Sequence, residues 1–184
     1  MIAIRRGRPA DASAIGAVHV ASWRSAYAGI LPDTYLAGLS VIRQAAYYDR
    51  AIRLGQGVHV AAASGLDLPG GSAPRVVGFV TSGRSRASGL AEGEIETLYV
   101  LDDWRERGLG RRLMRAAAAH LATIGCRSAF LWVLRDNPSR WFYQRLGGRP
   151  AAESSVRVGG SWVPQTAFVW DPIDRLIQAQ QSSS

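Results

Sequence analysis

Three glutamates at alternate positions, Glu92, Glu94 and Glu96, stand at the start of a strongly β-forming run, Ile95 to Leu101. Side chains of an extended chain repeat every second residue, so the three carboxylates point to one face. Neighbouring carboxylates raise one another's pKa, which suits a general base that takes a proton from a cationic amine near neutrality. A solvated strand entry would carry the same residues, and both readings stand. Beyond a polar turn, Leu101-Asp-Asp-Trp, the segment Arg105-Glu-Arg-Gly-Leu-Gly opens an alanine-rich run, Leu113 to Ile124, with high helix propensity. A helix start leaves N–H groups unpaired and carries the positive end of the helix dipole. Gly108 and Gly110 let the backbone approach a ligand closely, so the segment is built to receive an anion, phosphate above all. Arg105, Arg107, Arg111, Arg112 and Arg115 gather there and would steer a polyanion.

Phosphate loops of three kinds could use such a geometry. A Walker loop needs Gly-Lys-Ser/Thr, and the chain contains no lysine. A dinucleotide fingerprint needs a third glycine where Leu113 stands, and the next acidic strand end, Asp136, lies too far on. What fits is Arg-x-x-Gly-x-Gly after a strand that begins with glutamates. This resembles the pyrophosphate loop of the GNAT superfamily of acetyl-CoA-dependent N-acetyltransferases. A second segment, Leu131-Trp-Val-Leu-Arg-Asp-Asn-Pro-Ser-Arg-Trp-Phe-Tyr-Gln-Arg-Leu-Gly-Gly, resembles that family's strand–Asn–helix stretch ending in Phe-Tyr-x-x-x-Gly. The two segments span residues 92–149 in family order and spacing. Trp23-Arg-x-Ala-Tyr-x-Gly-Ile-Leu-Pro is similar to a motif of one bacterial subgroup.

The resemblance implies roles. Arg105, Gly108 and Gly110 stand at the loop's signature positions. Backbone N–H groups from about Arg107 to Arg112, Leu109 and Arg111 among them, would then hold the pyrophosphate. Leu98, Tyr99 and Val100 lie where the family's central strand splays and the pantetheine chain pairs with it. A strand N–H there polarises the thioester carbonyl, a contribution of about 3 kcal/mol for a fixed donor aimed at developing charge. Asn137 matches the pantetheine-contacting asparagine, and Ser139 replaces the usual alanine. Tyr143 matches the tyrosine near the cofactor sulfur, placed to protonate the departing thiolate. Glu94 stands where one branch carries its base, with Glu96 second. The implied reaction moves an acetyl group from acetyl-CoA, the cosubstrate, to a primary amine by direct attack in a ternary complex, without a metal. The alternative is an acyl-CoA-binding sensor or regulatory module with the same fold.

The elements that must position these groups follow in order. Residues 2–6 read as a strand, and Asp11 caps a helix running to about Tyr27 with Ile15, Val18, His19 and Ser22 on one stripe. His19 and His59 read as structural. Trp23, Tyr27, Ile30, Pro32 and Tyr35 either pack two helices together or wall an acceptor site, with Trp23 and Tyr27 the substrate-binding candidates. A helix over Val41 to Leu54 precedes a hairpin of Val58–Ala63 and Arg75–Ser82, whose long tip is 64–74; residues 83–91 form a mobile connection. Ser128–Leu134 is a strand, Ser139–Leu146 a helix begun by Pro138, and 150–157 and 161–170 are strands joined at Gly159-Gly160. This is an α/β single domain, a mixed, mostly antiparallel sheet flanked by helices and split near its centre to admit acetyl-CoA. It covers residues 1–175, with a flexible tail over 176–184.

Composition closes off other classes. The chain of 184 residues is 47% hydrophobic, enough for one buried core, and no apolar run reaches a membrane-spanning length. A single cysteine, Cys126, excludes a disulfide framework, so the cytoplasm is the expected compartment. Cys126 has no histidine at a recognisable spacing and reads as an idle thiol rather than an acyl relay. The formal charge of +8 comes from arginines spread along the chain rather than interleaved with aromatics on one face, which argues against a nucleic-acid partner. The expected partner is a small-molecule or peptide amine, and the exposed edges of the last strands make a homodimer a reasonable assembly.

Overall fold

The computed structural model describes residues 1–65, 74–86 and 89–178. Seven strands form one sheet in the order β1 (Ile2–Arg6), β2 (Gly57–Ala63), β3 (Arg75–Arg84), β4 (Gly93–Val100), β5 (Ala129–Leu134), β7 (Ser161–Trp170) and β6 (Arg149–Val158). All pairs are antiparallel except β4 and β5. Helices α1 (Ala12–Ala26), α2 (Asp33–Ala37) and α3 (Val41–Arg53) precede β2, α4 (Leu109–Thr123) links β4 to β5, α5 (Arg140–Arg145) follows β5, and α6 (Asp174–Gln178) follows β7.

The sheet is covered on both faces. On one, Ile15 and Val18 of α1 and Tyr48 and Ala51 of α3 pack on Val58, Val60, Val76 and Phe79. Gly16 brings the two helices together: a Cβ there would stand 2.8 Å from the Val41 carbonyl oxygen and the Ala45 nitrogen. On the other face Leu113, Met114, Ala117, Ala118 and Leu121 bury the alanine-rich stripe of α4 against Ala61, Val77, Val80 and Ile95. A third cluster joins Tyr27, Leu31 and Leu36 to Leu134 of β5 and Val163 of β7, so the aromatic turn after α1 packs on the second half of the sheet.

The expected elements are present within a few residues of their expected ends. The Gly159-Gly160 turn has both residues left-handed, φ 57° and 85°, as a two-residue hairpin requires. Asp11 differs from expectation: it precedes α1 but makes no capping bond to it. Its carboxylate instead accepts both Arg5 guanidinium nitrogens, at 2.7 and 2.9 Å, and the Arg8 N–H at 2.8 Å, tying β1 to the turn. Ser40 does cap α3, accepting from Arg43 N at 3.3 Å. Leu176, assigned to the tail on sequence, lies in α6 with 2% exposure against the core. The rest of that tail, 179–184, most of the 64–74 loop and two residues of the 83–91 connection lie outside the described residues.

Candidate active site

Strands β4 and β5 pair only through Gly93 opposite Ala129 and Glu94 opposite Phe130, while each stays paired with its outer neighbour almost to its end. Beyond Glu94 the two halves of the sheet part around a cleft of about 630 Å³. Leu101 N–H donates to Val77 of β3 at 2.9 Å. By strand alternation Leu98 and Val100 therefore turn their N–H and C=O groups toward the cleft.

The mouth of α4 forms one end of this cleft. Glu106 and Gly108 are left-handed, φ 60° and 71°. Such turns gather backbone N–H groups into an anion-receiving concavity. The first bond of this helix is Arg112 N to Gly108 O at 3.2 Å, so the N–H groups of Leu109, Gly110 and Arg111 have no partner within it. Gly110 faces Phe142 closely: a Cβ would stand 3.0 Å from that ring.

Glu96 and Tyr143 also line the cleft. The Glu96 carboxylate meets Arg86 Nη2 at 3.3 Å and the Tyr47 hydroxyl at 3.4 Å. Tyr143, 7% exposed, packs against Phe142, Phe168 and Trp170, and burial pushes its phenol pKa up. Asn137 stands between β5 and α5. Its amide donates to the Tyr27 hydroxyl at 3.3 Å while its oxygen accepts from Ser139 N at 2.9 Å. The Tyr27 phenol is likewise raised by burial, with the Asn137 and Tyr99 hydrogen bonds opposing.

Of the residues expected at the site, Tyr27, Glu96, Leu98, Tyr99, Val100, Arg105, Gly108, Leu109, Gly110, Arg111, Asn137 and Tyr143 line the cleft. Trp23, Glu94, Arg107 and Arg112 do not. Trp23 lies behind the wall, stacked on His19 at 5.3 Å and edge-on to Tyr27 at 4.8 Å. The Arg107 guanidinium covers the Trp104 ring at 4.6 Å and donates to Asp103 O, and Arg112 donates to Ile2 O of β1 at 2.9 Å.

The carboxylate triplet is not a triplet. Glu92 precedes β4 and accepts Arg127 N at 2.6 Å and Arg127 Nη2 at 3.0 Å, which lowers its pKa. In β4, Thr97 lies opposite Thr81 and Ile95 opposite Ser82, so Glu96 is an extra, bulged residue. Glu94 is partly enclosed, its pKa raised by burial and by Glu96, with Arg86 opposing. Sequence reasoning missed Arg86 and Tyr47, and read Trp104 as part of a polar turn although its ring is 8% exposed and lines the cleft. Cys126 is buried with its thiol pKa raised, as an idle thiol would be.

A model of the acetyltransferase (GNAT) family matches residues 29–148. An uncharacterized N-acetyltransferase of Bacillus subtilis strain 168, YuaI, is 31% identical over 179 residues, 96% of each chain. The chain belongs to the GNAT acetyltransferase family. Solved structures of lower identity share this GNAT fold. A GCN5-related N-acetyltransferase from Rhodopseudomonas palustris superposes with TM-score 0.67 at 23% identity, covering 92% of this chain and 94% of that one. The PaiA N-acetyltransferase of Thermoplasma acidophilum, in complex with coenzyme A, gives 0.64 at 18% identity, covering 90% and 98%. YncA from Salmonella typhimurium, with its cofactor acetyl-CoA, gives 0.67 at 19% identity, covering 93% and 94%. Among the described residues of this GNAT protein no helix is long and apolar enough to cross a membrane, and no group of three or more His, Cys, Asp or Glu could hold a metal ion.

Proposed function

We propose that this protein transfers the acetyl group of acetyl-CoA to a primary amine by direct attack in a ternary complex. The observation that carries the reading is the parting of β4 from β5 after Glu94, around a cleft that joins the α4 mouth to Glu96 and Tyr143. The residues present fit the cosubstrate. Left-handed backbone at Glu106 and Gly108 and the N–H groups of 109–111, without partners inside the helix, suit a diphosphate, and the free strand edge at Leu98 and Val100 suits an amide-bearing chain. Acetyl-CoA supplies an activated thioester.

Glu96, which lines the cleft, takes a proton from the acceptor ammonium directly or through one water. The freed amine nitrogen then bonds to the acetyl carbon as the carbon–sulfur bond breaks. Charge that develops on the carbonyl oxygen is met by a β4 backbone N–H, Leu98 being the first beyond the bulge that faces the cleft. Tyr143 gives its proton to the departing thiolate and recovers one, directly or through water, from the second proton that the attacking nitrogen sheds as the amide forms. Burial raises the Tyr143 pKa, so the phenol is protonated before reaction but is a weak acid that yields its proton only as negative charge develops on the sulfur beside it. Tyr27 walls the acceptor side, with Trp23 bracing it from behind.

A thiol-release screen with acetyl-CoA against polyamines, aminoglycosides, amino acids and peptide N-termini tests the reading. Turnover with at least one class is expected. Tight acetyl-CoA binding with no thiol release across the panel would replace the enzyme by an acyl-CoA sensor.

A further inference from the structure

We propose that Arg86 is a positioning residue for this chemistry: its guanidinium orients the Glu96 carboxylate and is the counter-charge beside Glu94. The inference rests on the acetyltransferase reading above and adds the group that governs its base. Arg86 comes from the connection between β3 and β4 and belongs to neither sequence motif. Its Nη2 stands 3.3 Å from Glu96 Oε1, while the Tyr47 hydroxyl of α3 lies 3.4 Å from Oε2. Each carboxylate oxygen thus has a tether from a different element, and Glu96 itself is the extra residue of the β4 bulge.

The exposures of the two partners set the physics. The Glu96 side chain is 19% exposed and that of Arg86 72%, so the anion is enclosed while the cation stands on the solvent side. Among the described residues, the charged and titratable groups facing Glu96 are Arg86, Tyr47 and Tyr48 of α3, and Glu94 of its own strand. Arg86 is the cation in that set. Glu94, partly enclosed and beside Glu96, is already pushed toward holding a proton, and Arg86 opposes the push. Without Arg86 two close carboxylates face each other with no counter-charge. Glu94, which burial and Glu96 already push toward its protonated form, then has no cation opposing the push.

The test compares wild type, Arg86→Ala and Arg86→Lys in two ways: kcat/KM against pH for one amine acceptor, and carboxyl titration by NMR in protein labelled with ¹³C at the glutamate carboxyls. The expected result for Arg86→Ala is an acid limb displaced upward by about half a pH unit, hence kcat/KM about threefold lower below the limb. Arg86→Lys should recover most of the displacement, and the Glu94 carboxyl should titrate higher in the alanine variant. Superimposed limbs in an active enzyme, or a lower melting temperature with an unmoved limb, would overturn the assignment. If wild type releases no thiol with any amine, the acetyltransferase reading falls, and an unmoved carboxyl titration then overturns the role of Arg86 separately.

Discussion

Replacing Gly108 by alanine tests whether the α4 mouth depends on backbone conformation or on space. Gly108 precedes α4 at φ 71° and ψ 6°. That region costs an L-residue about 1–2 kcal/mol relative to its usual conformations. A Cβ on Gly108 would meet nothing within 4 Å, so crowding adds nothing and the cost is purely conformational. Where it appears depends on the loop. If the loop keeps its shape, a loss of about 1 kcal/mol lowers the melting temperature by about 2–4 °C and leaves coenzyme A affinity alone. If the loop relaxes, stability is kept and coenzyme A binds about fivefold more weakly. Asparagine tolerates the left-handed region better than alanine, so Gly108→Asn should recover much of either loss. Thermal denaturation and calorimetric titration with coenzyme A read the two outcomes. The reasoning is refuted if Gly108→Ala matches wild type in both, or if asparagine is as damaging as alanine.

Gly110→Ala should act oppositely: its methyl group crowds the half-buried Phe142 ring at 3.0 Å while improving helix propensity by about 0.5–1 kcal/mol, so stability stays near wild type and coenzyme A affinity falls. Tyr143→Phe removes the proposed proton donor and keeps the packing, so kcat in a thiol-release assay should fall by about 10²-fold with the KM for acetyl-CoA little changed. Glu96→Gln should cost kcat/KM about 10²-fold and Glu94→Gln clearly less, since Glu96 lines the cleft and Glu94 does not; equal losses would move the base to Glu94. His19, bonded to the Tyr48 hydroxyl at 2.7 Å, has its pKa brought down by burial to about 4. Below the ordinary histidine value the unfolded chain takes up a proton that the folded protein refuses. Its stabilising contribution is therefore full above about pH 6.5 and declines toward pH 4, by on the order of 3 kcal/mol. Urea denaturation at pH 7 and pH 5 should show His19→Gln losing less stability on acidification than wild type; parallel losses would refute the assignment.

What was legible in the sequence is what depends on neighbours along the chain. A left-handed Gly108 ahead of a helix, two left-handed glycines at 159 and 160, and Asn137 bonding to Ser139 N two residues on are local arrangements, and local residue types announce them. Arg107 and Arg112 were drawn to the pyrophosphate by proximity in sequence. Other partners hold them: Arg107 lies on the buried Trp104 ring three residues back, a local contact the polar-turn reading hid, and Arg112 reaches a β1 carbonyl from the far end of the chain, which only the fold supplies. The glutamate face held only in part: Glu94 and Glu96 stay side by side with Arg86, while Glu92, ahead of β4, is taken by Arg127 from 35 residues on. A period-two argument assumes an unbroken ladder, and a bulge is a property of two strands together, so Glu96 could not be recognised as the extra residue without β3 beside it. Tyr47 and Arg86, which hold Glu96, lie in elements that no motif covers.

That bulge bears on why the sheet splits at all. β4 stays paired with β3 as far as Val100, and β5 stays paired with β7 from Ala129 to Leu134, so each central strand follows the twist of its own half. A bulge increases local twist and bends the strand that carries it. The one in β4 falls at Glu96, two residues beyond the last β4–β5 pair, Glu94 with Phe130. From there the halves diverge, and Leu109, Phe142 and Tyr143 line the gap from its sides. The bulge that carries Glu96 into the cleft lining thus falls just ahead of the free strand edge at Leu98 and Val100. The proposed base and edge donor lie two residues apart on one strand, so a change that restores regular pairing at Glu96 should disturb both together.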